Sequence, residues 1–168
     1  IIVSKIVRFN SIGGPDVLEI TEEQLAAPKD NEVLVDIKAA GLNRAEYLYM
    51  QGLYLVEPKL PSRIGVEGSG VIEAVGSNVT SFEVGQEVSI TPNMSPAEYG
   101  VIGEKAIIPV QALAPKSPDI SFEEAAAVKV LVVASGALDR LEMMEYIDMN
   151  DIATRASKIT GAYRAPGG

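Results

Sequence analysis

Residues 31–38 read Asn-Glu-Val-Leu-Val-Asp-Ile-Lys, and this stretch decides the fold class. Val33, Val35 and Ile37 alternate with mainly polar neighbours, which is close to the two-residue period of a half-buried strand. We therefore expect one face of this strand in the core and the other mostly in solvent. Similar short runs rich in Val and Ile, bounded by Gly, Pro, Asn or Asp, predict strands at residues 2–9, 17–21, 32–40, 70–75, 87–91 and 104–109.

These strands are short, and turn residues between them are frequent. Nine of the ten prolines lie within residues 15–118. The pattern predicts a mainly β fold that closes, or nearly closes, into a barrel and so hides its strand edges. Helices are expected around residues 44–50 and from Ser121, because Ser121 and Glu124 have the spacing of a capping box.

Residues 129–168 have a different pattern. Residues 129–134 form a continuous apolar run, typical of a strand buried on both faces, and residues 137–144 and 151–158 have helical patterns. We expect a domain of residues 1–128 followed by a βα or helical tail. The origin of this tail stays open. It is a segment that returns to the first domain and was joined to it by a deletion, or the end of a genuinely shortened homologue, or an unrelated filler.

The composition excludes several kinds of chemistry. The 168 residues include 14 Lys plus Arg and 23 Asp plus Glu, for a formal net charge of −9, and no Cys, His or Trp. Without Cys and His, the usual zinc sites, thiol nucleophiles and His-based triads cannot be built. The acidic balance disfavours nucleic acid and anionic membranes, and no apolar run is long enough to span a bilayer. We predict a cytoplasmic protein with no nucleic-acid and no membrane partner.

Two stretches carry a resemblance to a known family. They are Leu42-Asn-Arg-Ala-Glu and Lys59-Leu-Pro-Ser-Arg-Ile-Gly-Val-Glu-Gly-Ser-Gly-Val-Ile-Glu-Ala-Val-Gly. With further matching segments, in the family's order and at its spacings across residues 3–128, they resemble the N-terminal catalytic domain of the medium-chain dehydrogenase/reductase superfamily. The similarity is greater to the zinc-independent, quinone-oxidoreductase-like branch. The resemblance implies a GroES-like, partly open β-barrel.

Two positions indicate whether a catalytic zinc ion is expected. Zinc-dependent members of this superfamily have a Cys where Asn43 stands and a His where Val66 stands. The resemblance therefore implies an enzyme with no catalytic zinc and no other metal. It also implies reduction of a small apolar carbonyl or quinone substrate, in which NADPH carries the hydride and the protein supplies orientation and hydrogen bonds.

The resemblance also implies a set of site residues. Tyr47 and Tyr54 would be the catalytic residues, since a phenol can donate a hydrogen bond to a carbonyl while its ring packs on a flat substrate. Asn43 and Arg44 would contact the cofactor. Without the resemblance, Tyr47, Tyr49 and Tyr54 are more simply ordinary half-buried surface tyrosines.

Glu67 stands between Gly65 and Gly68 in a glycine-rich run. Either it is a buried carboxylate that orients the site, or local backbone N–H groups satisfy it, and the sequence leaves both readings open. We expect structural roles for Gly65, Gly68, Gly70 and Gly76 in turns and close packing rather than phosphate binding. Gly76 is expected to supply permissive backbone where a strand ends in a turn.

The sequence lacks the Gly-x-Gly-x-x-Gly turn of a dinucleotide-binding fold. We therefore expect the nucleotide-binding domain of complete family members to be missing, and NADPH binding by this chain alone to be weak. Two functions stay open. The chain is either the catalytic half of an NADPH-dependent oxidoreductase, or a non-catalytic GroES-like module that binds an apolar ligand or assembles as a homo-oligomer.

Overall fold

A computed structural model describes residues 1–92 and 94–127. Its eight strands are β1 (Ile2–Phe9), β2 (Leu18–Leu25), β3 (Glu32–Ala40), β4 (Ser62–Arg63), β5 (Gly68–Val75), β6 (Glu87–Ile90), β7 (Lys105–Pro109) and β8 (Leu113–Pro115). The α-helices are α1 (Arg44–Met50), α2 (Pro96–Tyr99) and α3 (Phe122–Ala126), with 3-10 turns at Pro15–Val17 and Val110–Ala112. In this part of the chain, no helix is long and apolar enough to cross a membrane.

The strands form two antiparallel sheets, with the orders β2-β1-β4 and β7-β3-β5-β6-β8. The prediction of a mainly β, partly open GroES-like fold is confirmed. The expectation of a closed or nearly closed barrel is wrong, because β1 meets the segment before β7 through an isolated bridge between Ile6 and Gly103 rather than a continuous ladder. The predicted βα or helical tail lies outside the described residues.

Most predicted elements are present, with some changes in their bounds. The limits predicted for β1, β3 and α1 are those of the structure. Strand β2 continues to Leu25, beyond the predicted end at residue 21, because it pairs with β1 along its whole length. Sequence analysis missed β4, β8 and α2, which have two to four residues each and are too short to show a hydrophobic period.

Strand β3 lies between β5 and β7 and supplies the centre of the core. Val33 and Val35 are buried in a cluster with apolar residues of the neighbouring strands, as expected. Glu32 and Leu34 are buried as well, so the prediction of a mostly solvent-exposed opposite face is wrong for the first half of the strand. The alternation of apolar and polar residues could not reveal this burial, because it depends on what packs over the sheet.

The burial of Glu32 is made possible by two hydrogen-bond donors. Its carboxylate accepts the backbone N–H of Lys29 at 2.9 Å and the hydroxyl of Tyr99 at 2.8 Å. Burial, followed by the hydrogen bond to Glu32, raises the pKa of Tyr99 to about 12. This pair ties the start of β3 to α2 and satisfies a carboxylate that would otherwise be costly to bury.

Helix α1 is fixed to the smaller sheet by a second apolar cluster. Its core is Phe9, Tyr49, Met50 and Ile64, and the rings of Phe9 and Tyr49 meet edge to face at 5.8 Å. The Tyr49 hydroxyl is 2.9 Å from the Ser62 hydroxyl. Tyr49 is therefore buried, and its assignment to the half-buried surface tyrosines is corrected. This packing sets the position of the N-terminus of α1.

Candidate functional site

The N-terminus of α1 brings two acidic side chains to one asparagine. The backbone N–H of Asn43 donates to Oε2 of Glu46 at 2.8 Å, and the N–H of Glu46 donates to the Asn43 carbonyl at 3.1 Å. The side-chain Nδ2 of Asn43 donates to Oε1 of Glu67 at 2.7 Å. Asn43 therefore holds one carboxylate from α1 and another from the segment that enters β5.

Glu67 is buried, with 2% of its surface exposed. Gly41 lies against it: a Cβ atom at Gly41 would come within 2.6 Å of the Glu67 Cγ atom. The Gly41 N–H also donates to the Glu67 carbonyl at 3.1 Å. The amide of Asn43 is one partner of the Glu67 carboxylate, and the role of Glu67 in orienting the site remains a prediction.

A cavity of about 220 Å³ opens beside α1. Its wall is largely apolar and draws on α1, the loop after α1, the segment before β5 and the segment before α2. Its lining residues include Glu46, Tyr54, Val56, Val66, Met94 and Pro96. An apolar cavity of about 150 Å³ holds benzene, so this one has room for a single substituted ring.

The structure places only some of the predicted site residues at this cavity. Tyr54 lines it and is 38% exposed. Tyr47 lies on the exposed side of α1, 47% exposed, and neither it nor the exposed Arg44 is among the described residues that line the cavity. Asn43 sits next to the cavity through its bond to Glu46. The roles assigned to these four residues remain predictions.

The structural reason for a glycine differs among the positions of the glycine-rich run that contains Glu67. Gly65 has a φ of +98°, which favours glycine, and it lines the cavity. Gly68 and Gly70 lie where β5 runs close to the backbone of β3. Gly76 does not have a positive φ, so the expectation of permissive backbone there is wrong. A side chain at Gly76 would overlap the carbonyl oxygen of Lys29, and close packing is the reason for glycine.

Sequence analysis missed Glu46 and the far wall of the cavity. For Glu46 there was a signal, since Asn43-Arg-Ala-Glu46 has the spacing of a capping box. For Met94 and Pro96 there was none, because they reach the cavity from a distant part of the chain through the fold. Among the described residues, no group of three or more Asp, Glu, Cys or His side chains could hold a metal ion.

The described residues form two antiparallel sheets with an apolar cavity beside a short helix, as the resemblance to a GroES-like domain predicts. Residues 29–119 match the family described as the alcohol dehydrogenase GroES-like domain. The chain therefore belongs to this family, within the medium-chain dehydrogenase/reductase superfamily that the motifs resembled.

The relatives of the chain include quinone oxidoreductases. The quinone oxidoreductase of Pseudomonas aeruginosa is 42% identical over 129 residues, which are 75% of this chain and 37% of that protein. The quinone oxidoreductase of Pseudomonas syringae pv. Tomato has a similar structure, with a TM-score of 0.72 and 37% identity over 83% of this chain and 41% of that one. The Escherichia coli quinone oxidoreductase complexed with NADPH gives a TM-score of 0.69 and 31% identity over 82% and 41% of the two chains.

Proposed function

We propose that the chain is the catalytic-domain portion of a zinc-independent, NADPH-dependent oxidoreductase that reduces quinones or enones. The observation that carries this proposal is the apolar cavity of about 220 Å³ next to the pair formed by Asn43 and Glu67. The relatives named quinone oxidoreductase support it, although the chain spans about 37% of their length. In this proposal residues 1–128 form the GroES-like domain, and the substrate is a small apolar carbonyl compound.

The proposed independence from zinc is supported by the residues at the two positions that hold ligands in zinc-dependent members. Val66 contributes an apolar side chain to the cavity wall, and the amide of Asn43 is bound to Glu67. Neither side chain is of a type that serves zinc sites. The sequence also has no Cys and no His with which another site of the usual kind could be built.

Tyr54 is the residue we propose for the substrate carbonyl. It lines the cavity, and its phenol can donate a hydrogen bond to a carbonyl oxygen. Tyr47, the second proposed catalytic residue, is exposed on α1 and could contact only a substrate that extends beyond the cavity. The ring faces of the substrate would pack on apolar wall residues such as Val66 and Met94.

NADPH, when bound, supplies a hydride to the substrate. The described residues do not fit the whole dinucleotide. Their cavity has room for one ring, and the three α-helices, of four to seven residues, are not preceded by the glycine-rich turn that receives a pyrophosphate. We propose that Asn43 and Arg44 reach only the nicotinamide end, and that a nucleotide-binding domain that is not part of residues 1–168, or that lies on another chain, holds the remainder.

The use of the cavity is tested by ligand titration of the full chain. The enone 2-cyclohexen-1-one, followed by amide NMR shifts, should bind saturably and perturb residues of α1 and the cavity wall. Val66→Phe should abolish this binding, because the added ring fills the cavity. Val84→Phe is the matched control, since Val84 is exposed and does not line the cavity. Equal binding by wild type and Val66→Phe would place the ligand elsewhere and contradict the proposal.

A titration with NADPH tests the proposal that this chain alone holds only part of the cofactor. A fluorescence titration of the chain with NADPH should show no saturation at micromolar concentrations, because half of the surface that positions the cofactor lies outside this domain. Saturable micromolar binding would contradict that part of the proposal.

One observation favours the second candidate, a non-catalytic module that assembles as a homo-oligomer or holds an apolar ligand. The loop after α1 exposes several large apolar side chains, with Leu55 the most exposed at 94%, together with Leu53, Val56 and Leu60. Exposed apolar patches commonly mark interaction surfaces. Sedimentation of the chain together with binding of an apolar dye tests this. A monomer that binds no dye would count against the module.

A further inference from the structure

Glu46 is a buried side chain at the edge of the cavity with one oxygen left unsatisfied. Only 6% of the residue is exposed, and it lines the cavity. Its Oε2 atom accepts the backbone N–H of Asn43, whereas Oε1 has no hydrogen-bond partner among residues 1–92 and 94–127. A buried carboxylate oxygen without a donor is unfavourable, so a ligand that supplied a donor would gain from meeting it.

We propose that Glu46 determines the ligand specificity of this cavity by accepting a hydrogen bond from a hydroxyl group on a one-ring ligand. The cavity then binds phenolic rings more tightly than rings whose only polar atoms are carbonyl or ether oxygens. This inference rests on the proposed function, because it assigns a selectivity to the same substrate site. A quinone carries acceptors only, whereas its reduced form carries two hydroxyl groups, so the site favours the product of the proposed reaction.

The shape and chemistry of the cavity fit this ligand class. A volume of about 220 Å³ suits one substituted ring, and Val56, Val66, Met94 and Pro96 offer apolar surface for its faces. An ionised carboxylate can only accept hydrogen bonds, and a carbonyl or ether oxygen placed against it would be repelled. Oε1 has almost no accessible surface, so the carboxylate must rotate about its soft terminal torsion to present Oε1 to a hydroxyl in the cavity, and this rotation also turns the Oε2 atom that accepts the Asn43 N–H.

The capping box of α3 provides a matched control. Glu124 occupies the same position in α3 that Glu46 occupies in α1, and its Oε2 accepts the backbone N–H of Ser121 at 2.8 Å. Glu124 is exposed and does not line the cavity. Replacing either glutamate by glutamine removes one charge and keeps an oxygen that can accept the capping hydrogen bond. Only the change at Glu46 alters the cavity.

The test compares phenol with anisole, which share a ring but differ in that anisole has no hydroxyl donor. Dissociation constants are measured on the full chain from amide shifts of cavity residues such as Val66. Wild type should bind phenol about tenfold more tightly than anisole, the size expected for a hydrogen bond to a charged group. Glu46→Gln should reduce this preference to less than about twofold, and Glu124→Gln should keep it at about tenfold.

Equal affinity of the wild type for phenol and anisole would overturn the inference, and this result does not depend on any variant folding. Retention of the full preference by Glu46→Gln would also overturn it. Titration with 2-cyclohexen-1-one separates this failure from failure of the proposed function. If the enone binds in the cavity and phenol binds no more tightly than anisole, only the proposed role of Glu46 is contradicted. If no ring binds there, both proposals fall.

Discussion

Helices α1 and α3 both begin with a capping box, but the surroundings of the two capping boxes differ. In α3, Ser121 Oγ accepts the N–H of Glu124 at 3.1 Å, while Glu124 accepts the N–H of Ser121. In α1 the glutamate bond to the cap residue is kept, and the side chain of Asn43 also donates through Nδ2 to Glu67. The same spacing therefore gives a helix start in both places, and only the one next to the cavity is tied to a second carboxylate.

The surroundings of the two helices explain the difference. Helix α3 packs on the larger sheet through Ser69, whose Oγ donates to the Phe122 carbonyl at 2.5 Å, and its two first-turn glutamates face solvent. Helix α1 lies between the smaller sheet and the cavity, so its glutamate is buried. Burial leaves Glu46 with one unpaired oxygen beside the cavity, whereas Glu124 is exposed to solvent.

The largest effect is expected when the two caps are removed. Asn43→Ala should lower the free energy of unfolding by about 3 kcal/mol, because a buried carboxylate loses a donor. Ser121→Ala should cost about 1 kcal/mol, the usual value for a lost N-cap. Urea unfolding of the two variants and the wild type measures both. Equal losses would mean that the bond from Asn43 to Glu67 adds nothing beyond capping.

A smaller effect is expected at Gly41. Gly41→Ala should cost about 2 kcal/mol, because the new Cβ overlaps the side chain of the buried Glu67. Gly14→Ala is the control: its Cβ would approach only the end of the exposed Asp16 side chain, at 3.1 Å, and should change stability by less than about 0.5 kcal/mol. Similar midpoints of urea unfolding for both variants would show that Glu67 has room to move.

The smallest effect concerns Glu32, a buried glutamate that accepts bonds from Lys29 and Tyr99. The pKa of Tyr99 is raised from 10.0 to about 12, so the folded state favours the neutral phenol. Its contribution to stability is complete below pH 10 and is lost as the pH rises toward 12. The difference in urea midpoint between wild type and Tyr99→Phe should be constant up to pH 10 and shrink above it. A difference that does not change over this range would contradict the assignment.

Local patterns in the sequence sufficed for much of the fold. The Val and Ile runs predicted the bounds of β1 and β3, and the spacing of Ser121 and Glu124 predicted the start of α3. The burial of Glu32 and the overlap that requires glycine at position 76 could not be predicted, because both depend on segments distant in sequence. Strand alternation reports the period of a strand and says nothing of what covers each face.

The site was predictable to a lesser extent. The motif resemblance singled out Asn43, Glu67 and Tyr54, and the structure puts the first two in contact and the third on the cavity wall. It gave no indication that Glu46 would be buried with one oxygen unsatisfied, since that follows from the packing of α1. Tyr47 differs from Tyr54 for the same reason, because its place on α1 turns it to solvent.

A crystal structure of the full chain soaked with 2-cyclohexen-1-one tests the central claim most directly. The claim is that the cavity beside α1, and no part of the α3 region, is the substrate site. We predict density for one ring between Tyr54, Val66 and Met94, with its carbonyl within hydrogen-bond distance of the Tyr54 hydroxyl. A ring bound elsewhere, with this cavity empty at a saturating concentration of the enone, would contradict it.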